Sequence, residues 1–344
     1  MMGVLNHLST LLLLSLLPPA LSHVVKRFDP QCQEFFMNGT TPNLPGVLVG
    51  GTVQKQKRYK LICQLFNNIY RFATLYDTTN RIPVFSAYTF TGNTKGRPND
   101  PWMIEPQLED IDIKEMKTQG DKKVKELNNN IDIRVDHQAV DADYKNNRLG
   151  LDRGHLFPCS YAPDDAAKRS TFTLTNAVPQ ASSFNNGSWN DMECRVRKSL
   201  EINCKNNNKT EAYVVTGAVP SFNNKLKERV NIPSHLWTAF CCYNSEKDKW
   251  IAGAHWGENK KEPEKKVLDP ITLAKLYEKL LKEHYHGDGV VEVFPDQCLE
   301  DKDKDKKDKK NKKSKKTHCQ DILKQKGDDV QGIPNKRRKL VVEL

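Results

Sequence analysis

Residues 149–162 read LGLDRGHLFPCSYA and set an acid, a base, a glycine and a histidine side by side: Asp152, Arg153, Gly154 and His155. The residues before His155 read as a short strand, and Pro158 ends it in a turn. About thirty residues on, SSFNNGSWNDMECRVRK (182–198) places Asn185 just ahead of a helical pattern at about 188–203. Glu193 and Arg197 stand one turn apart on that helix. Between the two stretches lies TFTLTNAVP (171–179), a second strand-like segment. The order is strand, loop, strand, turn, helix: a ββα unit with an imidazole at one end and a carboxamide and a carboxylate at the other.

That set of groups matches what hydrolysis of a phosphodiester requires. A neutral imidazole is a suitable base for deprotonating water near pH 7. Charge that builds on phosphoryl and departing oxygens calls for a hard divalent cation, which takes oxygen ligands and keeps several waters. Asn185 offers one amide oxygen for such an ion, and Glu193 can hold a water bound to it. Arg153 or Arg197 can clamp the phosphate. Gly154 lets the backbone come close to substrate or metal. Read as structure alone, Glu193 and Arg197 form an i,i+4 ion pair on an exposed helix face.

Outward from this unit, RIPVFSAYTF (81–90), AYVVTGAV (212–219), HLWTAFCCY (235–243) and KWIAGAHW (249–256) read as strands, and TLAKLYEKLLKEHY (272–285) as a helix. Several strands with a few helices predict an α+β fold around a mostly antiparallel central sheet flanked by helices. The polar stretch 121–147 reads as a surface excursion. Arg97, in GNTKGRPNDPW, reads as part of a solvated loop, with contact to substrate as the alternative. His284 and His286 read as surface residues at a helix end. His255 reads as a satisfied interior histidine, and Trp189, Trp237 and Trp256 as core.

The chain has 344 residues, 37% of them hydrophobic, and a formal charge of +11. About seven of those charges fall in the Lys-rich stretch 299–344, which is too polar to bury a core and is predicted to be a disordered tail able to attract polyanions. Residues 1–22, with the apolar run Leu11–Leu17 and then Pro18–Pro19, read as a secretory signal peptide cleaved near Ser22–His23. That run is too short to cross a bilayer, and no later stretch qualifies. Residues 23–298 then form one domain. Nine cysteines agree with an oxidising compartment. Cys194–Cys204 and Cys32–Cys63 suit short bridges, and the adjacent Cys241 and Cys242 suit two different partners. Zinc is a poor alternative, because no CxxC pair exists. Sequons start at Asn38, Asn186 and Asn208, and a glycan at Asn186 would crowd the proposed metal ligand.

The blocks DRGH with Leu156 and Pro158, TNAVPQ, and FNNGSW with Glu193 and Arg197 beyond, resemble the DNA/RNA non-specific endonuclease family. The preceding YRFATLYDTTNRIPVFSAYTF and the leader are similar to secreted vertebrate endonuclease-domain proteins. The resemblance covers most of 60–290 and implies a ββα-metal (His-Me finger) nuclease core. It implies His155 as general base, Asn185 as the single protein ligand of Mg²⁺ (Mn²⁺ a possible substitute), and Glu193 holding the metal through water. It further implies Arg153 and Arg197 on the scissile phosphate, and Asp152 orienting the loop. Substrates would be DNA and RNA, single- or double-stranded, cut with little sequence preference. The alternative is a catalytically inactive extracellular binder of nucleic acid or polyanions that uses the same groove and the basic tail.

Overall fold

The computed structural model describes residues 23–127, 134–285 and 289–299. The expected leader (1–22), His286, and the tail beyond Leu299 with Cys319 lie outside the described residues. In chain order the elements that build the site are β1 (Val24–Val25), β2 (Tyr59–Phe66), β3 (Ile69–Asp77), β4 (Ile82–Phe90), β5 (Leu151–His155), α1 (Asp165–Ser170), β6 (Ala177–Ala181), α2 (Asn190–Asn203), β7 (Ala212–Val219), β8 (His235–Asn244), β9 (Lys249–Glu258) and α3 (Leu273–Glu283).

Seven of these strands form one sheet in the order β1-β2-β3-β4-β7-β8-β9, with every neighbouring pair antiparallel. The α+β class follows from this sheet and its flanking helices. Both faces of the sheet are covered. Along β7, Val214 and Ala218 belong to the apolar cluster beneath α2 and the β5–β6 hairpin, while Val215 and Val219 belong to the cluster beneath α3. Alternate side chains of one strand therefore feed two cores. The same coverage explains why β2 and β3 escape sequence reading: YKLICQLF and IYRFATLYD are buried at most positions on both faces, so no apolar–polar alternation marks them.

The hairpin departs from expectation at its second strand. Residues 171–179 read as one strand, yet only Ala177–Ala181 is extended, preceded by a 3₁₀ turn at Leu174–Asn176. Side chains that bond locally to backbone compete with the ladder. Thr171 Oγ1 donates to Lys168 O at 2.7 Å in this way, whereas Thr175 is drawn off by a long-range bond from its Oγ1 to Glu105 Oε1 at 3.0 Å. The stretch 121–147 also differs from a surface excursion. It forms short helices at Lys122–Leu127 and Asp141–Tyr144, and it sends Val124, Val135, Ala139 and Tyr144 into the core beneath the hairpin. These apolar residues are too sparse to show a period.

Disulfides join Cys32–Cys63, Cys204–Cys242 and Cys241–Cys298. The adjacent cysteines do take different partners. The expected Cys194–Cys204 bridge is replaced, because Cys204 closes α2 against β8 instead; Cys194 is itself disulfide-bonded. Cys159 is free and buried.

A buried polar network ties the hairpin to the sheet. Asn176 accepts from Ser86 Oγ on β4 and from Phe157 N, both at 2.9 Å, and donates to Phe157 O (3.1 Å) and Thr171 O (3.0 Å). Its backbone carbonyl takes the N–H of Leu156 at 2.9 Å. One fully buried residue thus fixes the two that follow His155, Leu156 through its backbone and Phe157 through its side chain. Asn176→Ala strands these buried donors and acceptors. Urea denaturation is expected to show a loss of about 2–4 kcal/mol.

Candidate active site

The β5–β6 pairing sets His155 opposite Ala177, Gly154 opposite Val178, Arg153 opposite Pro179 and Asp152 opposite Gln180. With a period of two, Arg153 and His155 share one face of the hairpin and Asp152 and Gly154 the other. His155 is 8% exposed, its ring packed against Trp102 (4.9 Å between centroids) and Phe172 (5.0 Å). Its Nε2 is buried with no hydrogen-bond partner. Burial, reinforced by the charge of Arg97, lowers its pKa to about 3. The imidazole is therefore neutral in the folded chain at ordinary pH.

Asp152 occupies the other face and reaches the start of α2. Its Oδ1 accepts from Ser182 Oγ at 2.7 Å, and its Oδ2 accepts from Asn185 Nδ2 at 2.9 Å and Asn186 Nδ2 at 3.0 Å. The bond from Asn185 fixes which way its carboxamide faces: the nitrogen is turned to Asp152, and no donor among the described residues reaches the oxygen. Asn186 Nδ2 also donates to Ser182 O at 3.0 Å. Both its amide protons are engaged, which gives the expected conflict with a glycan at this sequon a physical basis.

The turn that carries these two asparagines is held from behind. Residues 185–189 form a wide π-type turn in which Gly187 leaves helical geometry (φ −99°, ψ −116°). The ring of Phe184 lies on Gly257 of β9, where an added Cβ would come within 2.5 Å of it. Ser188 N donates to Glu262 Oε1 at 2.8 Å. Such single wide turns commonly mark functional sites in helices.

Glu193 lies on the first turn of α2, half-buried. Burial pushes its carboxyl pKa up to about 8, against the downward pull of the Trp189 indole and the charges of Arg97 and Arg197. The i,i+4 partner of Arg197 is Glu201 (3.8 Å) rather than Glu193, and Arg197 also donates to Ser160 O at 3.3 Å. Arg153 is more constrained than a free phosphate clamp. It is ion-paired with Asp141 and lies over the rings of Tyr144 (5.3 Å) and Trp102 (5.6 Å).

Two residues of the site stand outside the expected catalytic set. Arg97 stacks over Phe172 at 5.0 Å, the ring that itself packs on His155, and its charge acts on both His155 and Glu193. It is exposed, but its loop is tied down by α1. Lys168 Nζ donates to Lys95 O at 2.5 Å and Arg169 Nε to Asp100 Oδ2 at 3.1 Å. Gln180, within the TNAVPQ block, is fully buried with both polar side-chain atoms unpartnered. Its Oε1 lies 2.0 Å from where a Cβ on Gly154 would sit. The glycine is thus required by Gln180 across the hairpin, whatever approach of backbone to substrate or metal it also allows.

The remaining expectations divide. Trp189 and Trp237 are core, and Trp256 is only partly buried. His255 is interior, but its Nδ1 has no partner, so it is not satisfied. Among the described residues no group of three or more His, Cys, Asp or Glu side chains could hold a metal ion. The donors present fit a sparsely held, oxygen-preferring cation: one carboxamide oxygen at Asn185, left without a donor among the described residues, and a Glu193 carboxyl that burial holds largely protonated and that a neighbouring cation would ionise. Among the described residues no helix is long and apolar enough to cross a membrane.

The human Endonuclease domain-containing 1 protein is 31% identical over 216 residues, 62% of this chain and 39% of the human one. The mouse protein of the same name is 30% identical over 274 residues, 78% of this chain and 48% of its own. The chain thus spans less than half the length of these relatives. A solved structure of the EndoG/EndoGI complex overlaps 64% of this chain and 83% of its own, at 18% identity and a TM-score of 0.44. The DNA/RNA non-specific endonuclease family matches residues 54–278, and with the DRGH hairpin, the FNNGSW turn and the antiparallel sheet on the page, the chain belongs to that family.

Proposed function

We propose that this chain is a secreted, Mg²⁺-dependent endonuclease that hydrolyses phosphodiester bonds in DNA and RNA. The observation that carries the reading is the Nε2 of His155, buried, unpartnered and held neutral. A neutral imidazole with a vacant nitrogen can take the proton of a water as its oxygen attacks phosphorus. The low basicity set by burial rises when a phosphate anion arrives beside the ring, because a neighbouring negative charge favours the protonated form.

Asn185 would hold the cation through its amide oxygen, with Asp152 fixing the amide's orientation, and Glu193 would assist through water. When bound, Mg²⁺ supplies charge stabilisation for the phosphoryl and leaving oxygens. Arg97 and Arg197 bring positive charge to the same region, and Arg153 stiffens the strand through Asp141 more than it reaches outward. The bond that breaks joins phosphorus to the leaving 3′ oxygen, giving 5′-phosphate and 3′-hydroxyl ends. Every group in this scheme addresses phosphate, which carries no sequence information directly, so cleavage would be indifferent to sequence. Three disulfides among the described residues support an oxidising, extracellular destination.

His155→Ala is expected to reduce plasmid nicking by at least about a hundredfold with an unchanged circular-dichroism spectrum. EDTA should stop nicking, and added Mg²⁺ should restore it. Undiminished nicking by the folded variant, or nicking in EDTA, overturns the assignment.

His155 also links stability to pH. Its folded pKa of about 3 lies below the ordinary 6.5, so the unfolded chain binds a proton that the folded chain does not. Stability from this residue is complete above about pH 6.5 and is lost as pH falls toward 3, at up to about 1.4 kcal/mol per pH unit. Urea midpoints measured from pH 7 to 4 should fall less steeply for His155→Ala than for the native chain.

A further inference from the structure

We infer that the hollow beside the β5–β6 hairpin is a subsite for one unpaired nucleotide flanking the scissile phosphate, so that the preferred substrate is single-stranded nucleic acid. The inference rests on the nuclease reading and adds a substrate class to it. The hollow measures about 600 Å³, within the range of small-molecule sites. Its wall includes Ser182, whose hydroxyl donates to the same Asp152 carboxylate that orients Asn185. The hollow therefore lies two hydrogen bonds from the proposed metal ligand.

Its lining matches a nucleotide's parts. Arg148 and Lys261 stand on it exposed, and neither joins an ion pair among the described residues; the neighbouring Lys260 is spent on Glu258 at 2.7 Å. Among the described residues no carboxylate lines the hollow, so two cations without a described ion-pair partner face whatever enters. Leu149, 62% exposed, and Ile232 supply apolar surface for the face of a base. The side-chain amide of Asn224 makes no hydrogen bond within the described residues and can meet a base edge. Two residues ahead of it on the same loop, Phe222 is 95% exposed, an aromatic ring with no core to serve and suited to stacking. Cations for phosphate, an apolar floor, a free amide and an exposed ring together favour a strand whose bases are available. A duplex keeps its bases stacked inside and could offer this hollow only its backbone.

The test measures binding to the full, disulfide-intact chain in EDTA, so that nothing is cleaved. Fluorescence anisotropy would follow a labelled twelve-residue oligothymidylate and a duplex of the same length. Arg148→Glu/Lys261→Glu should weaken oligothymidylate binding about tenfold or more and flatten its log–log salt dependence by about 1.4. Leu149→Ser and Phe222→Ser should each weaken oligothymidylate binding about fivefold while duplex binding changes by less than about twofold. The control is Lys55→Glu/Lys57→Glu, an equal charge change ahead of β2, on the far side of the sheet from β9. The inference is overturned if the native chain does not bind oligothymidylate, if the site variant behaves like the control, or if the two serine variants weaken single strand and duplex alike. The two readings fail separately. A chain that nicks plasmid but binds unchanged after Arg148→Glu/Lys261→Glu loses only the subsite. A chain that nicks nothing, yet shows these selective losses, keeps the subsite and loses the nuclease assignment.

Discussion

The carboxylate of Asp152 is the constraint on which the site depends. It sits on a two-stranded hairpin that has only one ladder of its own, and it receives three donors from the turn that opens α2. Charge-assisted bonds of this kind are stronger and more directional than neutral ones. They convert two separately folded pieces, a hairpin and a helix start, into one surface. Because neighbouring residues on a strand point to opposite faces, the same five-residue strand presents Asp152 to the turn and His155 to Trp102 and Phe172. The geometry of the site follows from that alternation and from the wide turn at 185–189.

The second constraint is desolvation. His155 and Glu193 are both driven toward their neutral forms by burial, one downward and one upward in pKa. Arg97 acts on both in the same sense, opposing protonation. It lowers the imidazole further and partly restores the carboxylate. One exposed guanidinium, pinned by α1 and stacked on Phe172, thus sets the electrostatic tone for two residues that belong to different elements. Groups whose environments move their pKa values apart are a common mark of acid–base chemistry.

Much of this was legible in the chain itself. The residue types DRGH and FNNGSW, with a strand-like gap between them, carry the hairpin and the helix start, because proximity in sequence here is proximity in space. The strands β4, β7, β8 and β9 were legible because each is a compact run of β-branched, aromatic and small residues. Arg97 was not, since its contact with the site is made through a loop about sixty residues upstream and depends on tertiary ties from Lys168 and Arg169. Gln180 was hidden in plain view: its block was recognised, but burial without a partner is a property of the folded molecule. The failed Cys194–Cys204 pairing has the same origin. Short separation along the chain favours a bridge only when the intervening residues can turn back, and here they run straight along α2.

Cys241 and Cys242 are consecutive on β8, so their sulfurs leave the strand on opposite sides. One is bonded to Cys298 in the layer of α3, the other to Cys204 at the end of α2. A single interior strand, one in from the sheet's edge, is therefore a through-rivet for both covers of the sandwich. In a reducing environment both fastenings would open along one line while the backbone rungs to β7 and β9 still held the sheet, so the covers would loosen before the frame did.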